Sequence, residues 1–401
     1  MPSPLLYACG SNGSGQLALG HEEDVSSLTR CAFDPSCPAS TDIVDLVSAA
    51  SHALLLVSSP SSGTHLLGAG KNTHGQLGRP CALSCPPAAT TFRPLALGRE
   101  AGLGDGFVPV KVAATWTTSF VVYERGITGS AGREQVFVAS GSNDFGELGV
   151  AGSSAGPVVL KDVLRPGERV EHLKGGQRHV IAVLSSGTGP TRTQRVVGWG
   201  ACRRGELDAV PAPVATPASR GVKGKGKAPA RAPTSLPVTI ALRIPPGAHI
   251  IDLALGAAHS LALLSNGRVL AWGSDLKGQV ASLDSVQDVT GIAATWNGTY
   301  VISAGALWSQ GSNTHGQLLR RDSDPRGQVA VQQAPTCLTA GSEHVLVTAA
   351  DSTLWSGGWN EHGNLGVGDT ADRPDLAQVP VPGAIRRVWG GLAATWVWSE
   401  E

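Results

Sequence analysis

One eight-residue string recurs along the whole chain. GSNGSGQL begins at Gly10, GKNTHGQL at Gly70, GSNDFGEL at Gly141 and GACRRGEL at Gly200; GSDLKGQV at Gly273, GSNTHGQL at Gly311 and GWNEHGNL at Gly358 complete the series. Six intervals separate the seven copies, with a mean of about 58 residues. A period of that size requires one supersecondary unit stacked on copies of itself. Each string follows a short apolar run such as LLYACG, VFVASG or VLAWG. These runs read as buried strands ending at a turn. Gly accepts positive φ, and Asn tolerates the left-handed region and can bond its own backbone. The closing Leu or Val returns a side chain to the core.

A second motif alternates with the first. It appears as LVSAASHALLLV, KVAATWTTSFVV, LKGGQRHVIAV, LALGAAHSLALL, GIAATWNGTYVI, CLTAGSEHVLVT and VWGGLAATWVW. Each reads as a strand, a small-residue corner and a second strand. Seven such units imply an all-β, seven-bladed β-propeller in one domain spanning residues 1–401. The 52 Gly and 26 Pro break up long helices, and 15% charged residues are too few for disorder. The chain opens with what reads as the last strand of a unit, Leu5–Gly10, and closes on residues 386–398, a unit lacking its final strand. One blade is therefore expected to be shared between the termini, which closes the ring and removes two sheet edges.

Charge excludes some functions. Lys+Arg and Asp+Glu are both 31, so the basic excess of a phosphate binder is missing. No apolar stretch reaches the roughly 18 to 20 residues that cross a bilayer, and MPSPLLYACGSN lacks the basic start of a signal peptide. Seven unevenly spread Cys fit reduced thiols, so a cytoplasmic or nuclear location without membrane contact is expected. Cys81 and Cys85 could form half a metal site, but no second close pair completes it. There is no nucleophile elbow, zincin motif or carboxylate pair. The expectation is a non-enzymatic protein with no cofactor and no metal.

These motifs resemble those of the regulator of chromosome condensation repeat family, whose blades carry a Gly-Ser-Asn-xx-Gly-Gln-Leu turn and a Gly-xx-His-Ser corner. The resemblance runs over residues 5–398 and implies the seven-bladed propeller. Within the family the chain is most similar to the fungal alpha-tubulin suppressor, or killer-toxin-insensitivity, type: a bare propeller with irregular blades and Trp in place of some corner His. That resemblance implies a scaffold forming a heterodimer with a small zinc-ribbon protein of diphthamide biosynthesis. Through it the chain would support diphthamide formation on elongation factor two and, indirectly with Elongator, tRNA wobble-uridine modification. The alternative it implies is a guanine-nucleotide exchange factor for a Ran-like small GTPase. The founding type carries a basic N-terminal tail; this chain is expected to enter its first strand by Leu5.

The corner positions that need not fit the core are the candidate partner-binding residues. Two of them carry Trp, Trp116 and Trp296, with Arg178 and Glu343 as polar neighbours. A rim Trp is costly to expose and suits an interface anchor. Trp359, where the turn usually has Ser, is a further candidate. The third AATW string differs: its corner glycines are Gly390 and Gly391, which sets Ala394 at the His position and Trp396 inside a strand. The corner His52, His179, His259 and His344 read as packed residues satisfying buried backbone groups. His74, His315 and His362 precede the second Gly of their turns, and repetition is expected to keep them apart. Residues 208–240 form a Pro/Ala/Gly/Lys stretch, expected to be a disordered insertion loop capable of weak RNA contact. Within it Gly221–Lys227 imitates a phosphate loop but lacks the Ser or Thr that would hold magnesium.

Overall fold

The turn motif is closed by its own side chains. Leu17 N–H donates to Asn12 Oδ1 at 2.9 Å, Leu77 N–H to Asn72 Oδ1 at 2.7 Å and Leu365 N–H to Asn360 Oδ1 at 2.9 Å. In GSDLKGQV, Asp275 plays this part toward Val280. The Asn thus bonds backbone five residues ahead, not its own, which fixes the length of the string. The Gln folds back: Gln16 Oε1 accepts from Ser14 N–H, and Gln76 Oε1 from His74 N–H. The opening Gly is dictated by its surroundings. At Gly141, φ is +131° and a Cβ would lie 2.3 Å from Thr117 O.

The computed structural model describes residues 4–39, 42–79, 88–127, 132–189, 192–208, 233–322 and 324–400. Their strands form seven antiparallel sheets, the blades of a β-propeller. Blade 1 holds Asp42–Ser48, His52–Ser59, Gly63–Lys71 and Ala88–Pro94. Blade 2 holds Val108–Ala114, Thr118–Gly126, Arg133–Gly141 and Val158–Leu160; blade 3 holds Arg169–Gly175, His179–Ser186, Thr193–Gly200 and Thr234–Ile240. Blade 4 has three strands, Ile250–Leu255, His259–Leu264 and Val269–Gly273. Blade 5 is Val289–Ala294, Gly298–Ser303, Ala306–Gly311 and Arg326–Gln328; blade 6 is Pro335–Ala340, His344–Ala349, Leu354–Gly358 and Arg373–Val379. Blade 7 joins the two ends: Ala384–Gly391 and Ala394–Glu400 lie inside Leu5–Gly10 and Val25–Arg30.

The shared blade is present, with one correction. Leu5–Gly10 is the third strand, not the last; the chain turns after Leu17 and runs back as Val25–Arg30. The reading of residues 208–240 also changes at its end. Thr234–Ile240 is the outer strand of blade 3, pairing Val196 with Ile240 and Gly198 with Val238. Pro237 is tolerated because the strand lies at a sheet edge. Residues 209–232, with the phosphate-loop look-alike, and Cys81 and Cys85 lie outside the described residues.

The core lies between neighbouring sheets. Phe120 and Phe137 of blade 2 share one cluster with Val180 and Trp199 of blade 3, and Ile181 and Val183 of blade 3 share the next with Leu264 and Trp272 of blade 4. Burying each such side chain contributes roughly 1.5–3 kcal/mol. Second-strand runs such as HVIAVLSS are apolar on both faces because each sheet is covered on both sides. Among the described residues no helix is long and apolar enough to cross a membrane.

Candidate protein-binding face

In an up-and-down blade, the corner between strands one and two and the turn between strands three and four fall at the same end. Register confirms it: His52 pairs with Gly70, His179 with Gly200, His259 with Gly273 and His344 with Gly358. All corners and turn motifs therefore share one face of the ring, the turn face. Thr118, Gly298 and Ala394 stand at the His position of blades 2, 5 and 7. Trp116 and Trp296 precede that position by two, so they are equivalent to each other and do not replace the His.

The two Trp are not separate anchors. Their rings stack across the ring axis, with centroids 5.5 Å apart and planes at 24°. Each is half-buried. Trp296 lines the mouth of the central channel, a cavity of about 220 Å³ bounded by the innermost strands of all seven blades. Arg178, from the corner of blade 3, lies over the Trp116 ring at 5.5 Å and over Phe145 at 4.8 Å. Its guanidinium donates to Thr117 Oγ1 and to Glu147 Oε1, each at 3.1 Å. Glu147 takes the Gln place of the blade 2 turn and is fully buried, so Arg178 supplies its counter-charge.

The other candidates continue this band. Trp296 N–H donates to Ser342 O, beside Glu343. Burial pushes the Glu343 carboxyl above the usual range; Gln317 donates to it at 2.7 Å, and Asn297 also bonds it. Trp359 N–H donates to Glu343 O at 2.9 Å. The Trp359 ring meets His362 edge-on at 5.3 Å and His315 at 6.5 Å. His315 and His362 were expected to stand apart; adjacent blades bring both to one Trp ring. Their Nδ1 atoms face Asp372 at 3.2 Å and Asp24 at 2.6 Å. His74 lies outside this group. No cluster of His, Cys, Asp and Glu with metal-binding geometry occurs among the described residues.

Charge is uneven over the face. Blades 3 and 4 present Arg178, Arg203, Arg204 and Lys277 beside Asp208 and Asp275; blades 6 and 7 present Glu343, Glu361, Asp369, Asp372, Glu22, Glu23 and Asp24 beside Arg373. The Trp pair lies between these halves.

The corner His are packed structural residues, and hydroxyls join backbone groups as their partners. Nε2 of His52 bonds Ser119 Oγ at 2.9 Å, His179 bonds Ser260 at 3.1 Å, His259 bonds Thr299 at 3.2 Å and His344 bonds Thr395 at 3.3 Å. Each partner is a hydroxyl of the next blade; His259 and His344 also bond the backbone of Gly298 and Ala394, as expected. Burial lowers the His pKa values to about 3 for His52 and His179, and to about 4 for His259 and His344.

Comparison with known proteins enters at blade 4. Residues 250–279 match the Regulator of chromosome condensation (RCC1) repeat. That segment is the three-stranded blade and its turn, including corner His259. The chain is 28% identical to the Secretion-regulating guanine nucleotide exchange factor of Bos taurus over 359 residues, 84% of this chain and 66% of that protein. The Mus musculus protein of the same name is 26% identical over 364 residues, 85% of this chain and 66% of its own. This chain thus spans 66% of the length of these relatives. Among solved structures, human WBSCR16 superposes with a TM-score of 0.74 at 16% identity, covering 99% of this chain and 100% of that one. Saccharomyces cerevisiae Prp20p, described with its binding to Gsp1p and histones, superposes at 0.71 with 18% identity, covering 99% and 92%. Both structures are RCC1-like propellers, and at these identities they establish the fold.

Phe145, Glu147 and the His315–Trp359–His362 group escaped the sequence reading. One signal was legible: GSNDFGEL puts Glu where GKNTHGQL and GSNTHGQL have Gln, just before the blade whose corner carries Arg178.

Proposed function

We propose that this propeller binds a Ran-like small GTPase through its turn face and accelerates release of the bound guanine nucleotide. The observation that carries the proposal is the pair of relatives, both named as exchange factors, aligned over 84% and 85% of the chain. They favour exchange over the zinc-ribbon scaffold. Exchange breaks no covalent bond; it needs a firm surface that binds the nucleotide-free partner more tightly than the loaded one. The stacked Trp pair offers a rigid aromatic anchor, and Arg178, Glu343 and Trp359 extend it.

The test is release of fluorescent GDP from a purified Ran-like GTPase. The expected outcome is acceleration at substoichiometric propeller, reduced tenfold or more by Trp116→Ala or Trp296→Ala. No acceleration, together with a stable one-to-one complex with a small zinc-ribbon protein, would establish the scaffold reading for diphthamide and Elongator-dependent modification instead.

A further inference from the structure

Two seams of the turn face bring the seventh residue of a turn motif against the last corner residue of the next blade. Between blades 2 and 3 the pair is Glu147 and Arg178, and the guanidinium donates to the carboxylate at 3.1 Å. Between blades 5 and 6 it is Gln317 and Glu343, and the amide donates to the carboxylate at 2.7 Å. Each seam follows a blade whose corner carries Trp, Trp116 in the first and Trp296 in the second. The first pair is neutral as a whole. In the second, the side chains that bond the carboxyl are the amides of Gln317 and Asn297, and no Lys, Arg or His forms an ion pair with it among the described residues. A charge withdrawn from water without a counter-charge is costly, and burial accordingly raises the Glu343 carboxyl above its usual range. The group is not sealed. Glu343 is half-buried, whereas Glu147 is fully buried with Arg178 beside it.

The neighbouring rings suit a cation. In the first seam Arg178 lies over Trp116 and Phe145. The residues at those two repeat positions in blade 5 are Trp296 and His315. Trp359, whose N–H bonds Glu343 O and whose ring meets His315, adds a third ring. Indole faces attract a guanidinium, which also pairs with a carboxylate through two parallel N–H groups. The surface around the seam has the sign of Glu343. On the turns of blades 6 and 7, Glu361, Glu22 and Glu23 are exposed and make no ion pair among the described residues. Those acids draw positive charge toward the face broadly. The uncompensated Glu343 among aromatic rings gives it one place to settle.

We propose that a basic segment of the protein bound on the turn face inserts an Arg side chain beside Glu343, supplying from outside the counter-charge that Arg178 supplies to Glu147 from within the ring. The inference rests on the exchange reading for its partner and adds the chemistry that holds that partner at blades 5 and 6.

The probe is a capped six-residue peptide alternating Gly and Arg, with a control in which citrulline replaces each Arg. Binding is followed by calorimetry at low salt and by the indole N–H signals of Trp296 and Trp359. Wild type should bind the Arg peptide at least tenfold more tightly than the citrulline peptide, with both indole signals shifted. Glu343→Gln keeps an oxygen to accept from Gln317 and should weaken the Arg peptide at least fivefold. Gln317→Arg builds the counter-charge into the ring and should do the same while holding or raising Tm. Equal binding of the two peptides, or wild-type affinity in folded Glu343→Gln or Gln317→Arg, would overturn the proposal. So would a larger loss from Glu22→Gln with Glu23→Gln than from Glu343→Gln, which would make the attraction diffuse. Release of fluorescent GDP separates the two readings. No exchange with Glu343-dependent peptide binding would remove the exchange reading alone; equal exchange by wild type and both variants would remove this inference alone.

Discussion

Blades 1, 3, 4 and 6 carry a corner His, whereas blades 2 and 5 carry a corner Trp and no His. The first kind looks inward and sideways: its imidazole is buried and bonds a hydroxyl of the next blade. The second kind looks outward and across: its indole is half-buried and stacks on its counterpart over the channel. At the two seams that follow the Trp blades, charged or amide side chains replace the imidazole: Arg178 with Glu147, and Gln317 with Glu343. One corner therefore has two uses, at positions two residues apart. Where a blade needs only its neighbour, His serves; where the seam is held by other groups, the corner is released to build a surface. Buried seams of this kind are rigid, and half-exposed aromatic corners are the places where a partner gains binding energy.

The largest way to break this division is at blade 7, which has neither corner residue. Its closure rests on Leu5–Gly10 pairing with Ala394–Glu400 over six residues. Deleting residues 1–10 should abolish the single cooperative thermal transition; an unchanged Tm would show that the ring does not depend on this strand. Next is Trp396, the look-alike of the Trp corners. It is fully buried, beside Phe92 with centroids 6.0 Å apart, so Trp396→Ala should cost about 3–5 kcal/mol in denaturant unfolding and leave partner affinity intact. Trp116→Ala should do the reverse, costing about 1 kcal/mol or less while weakening partner binding.

The His seams make a pH prediction. Their folded pKa values lie at about 3 to 4, below the ordinary value of 6.5. Above pH 6.5 the imidazoles are neutral in both states and the seams contribute fully. As pH falls from 6.5 toward 4, the unfolded chain takes up protons that the folded ring refuses, so stability declines, by about 1.4 kcal/mol per pH unit for each His. His179→Gln should flatten the curve of denaturation midpoint against pH. Replacing Thr118, already at a His position in blade 2, by Val should leave the pH slope unchanged. The smallest effect is spectroscopic. Stacked indoles couple, so either Trp116→Phe or Trp296→Phe should remove the same near-ultraviolet circular-dichroism couplet; a couplet surviving one substitution would separate the two rings.

Much of this was legible in the residues. Turn glycines and apolar runs are local and repeat their chemistry in every copy, so seven strings predict seven blades; the corner His repeats in four of them. The register that makes Trp116 and Trp296 equivalent, and sets Trp396 apart, follows from the same alignment. The start of Thr234–Ile240 was not legible, because Thr, Pro and Ser at its start imitate the linker before it. The short interval from Gly273 to Gly311, 38 residues, hinted that blade 4 lacks room for its outer strand.

The sequence alone determined that this chain is a ring of repeats closed through its ends, because a strand, a corner and a turn are each specified within a few residues. Only the tertiary structure decided that two Trp 180 positions apart share one stack, that His315 and His362 flank one indole, and that one blade has three strands among the described residues. Those contacts depend on the width of the channel and on which blades become neighbours. Such distances are set by how seven sheets pack together, and no single repeat carries them.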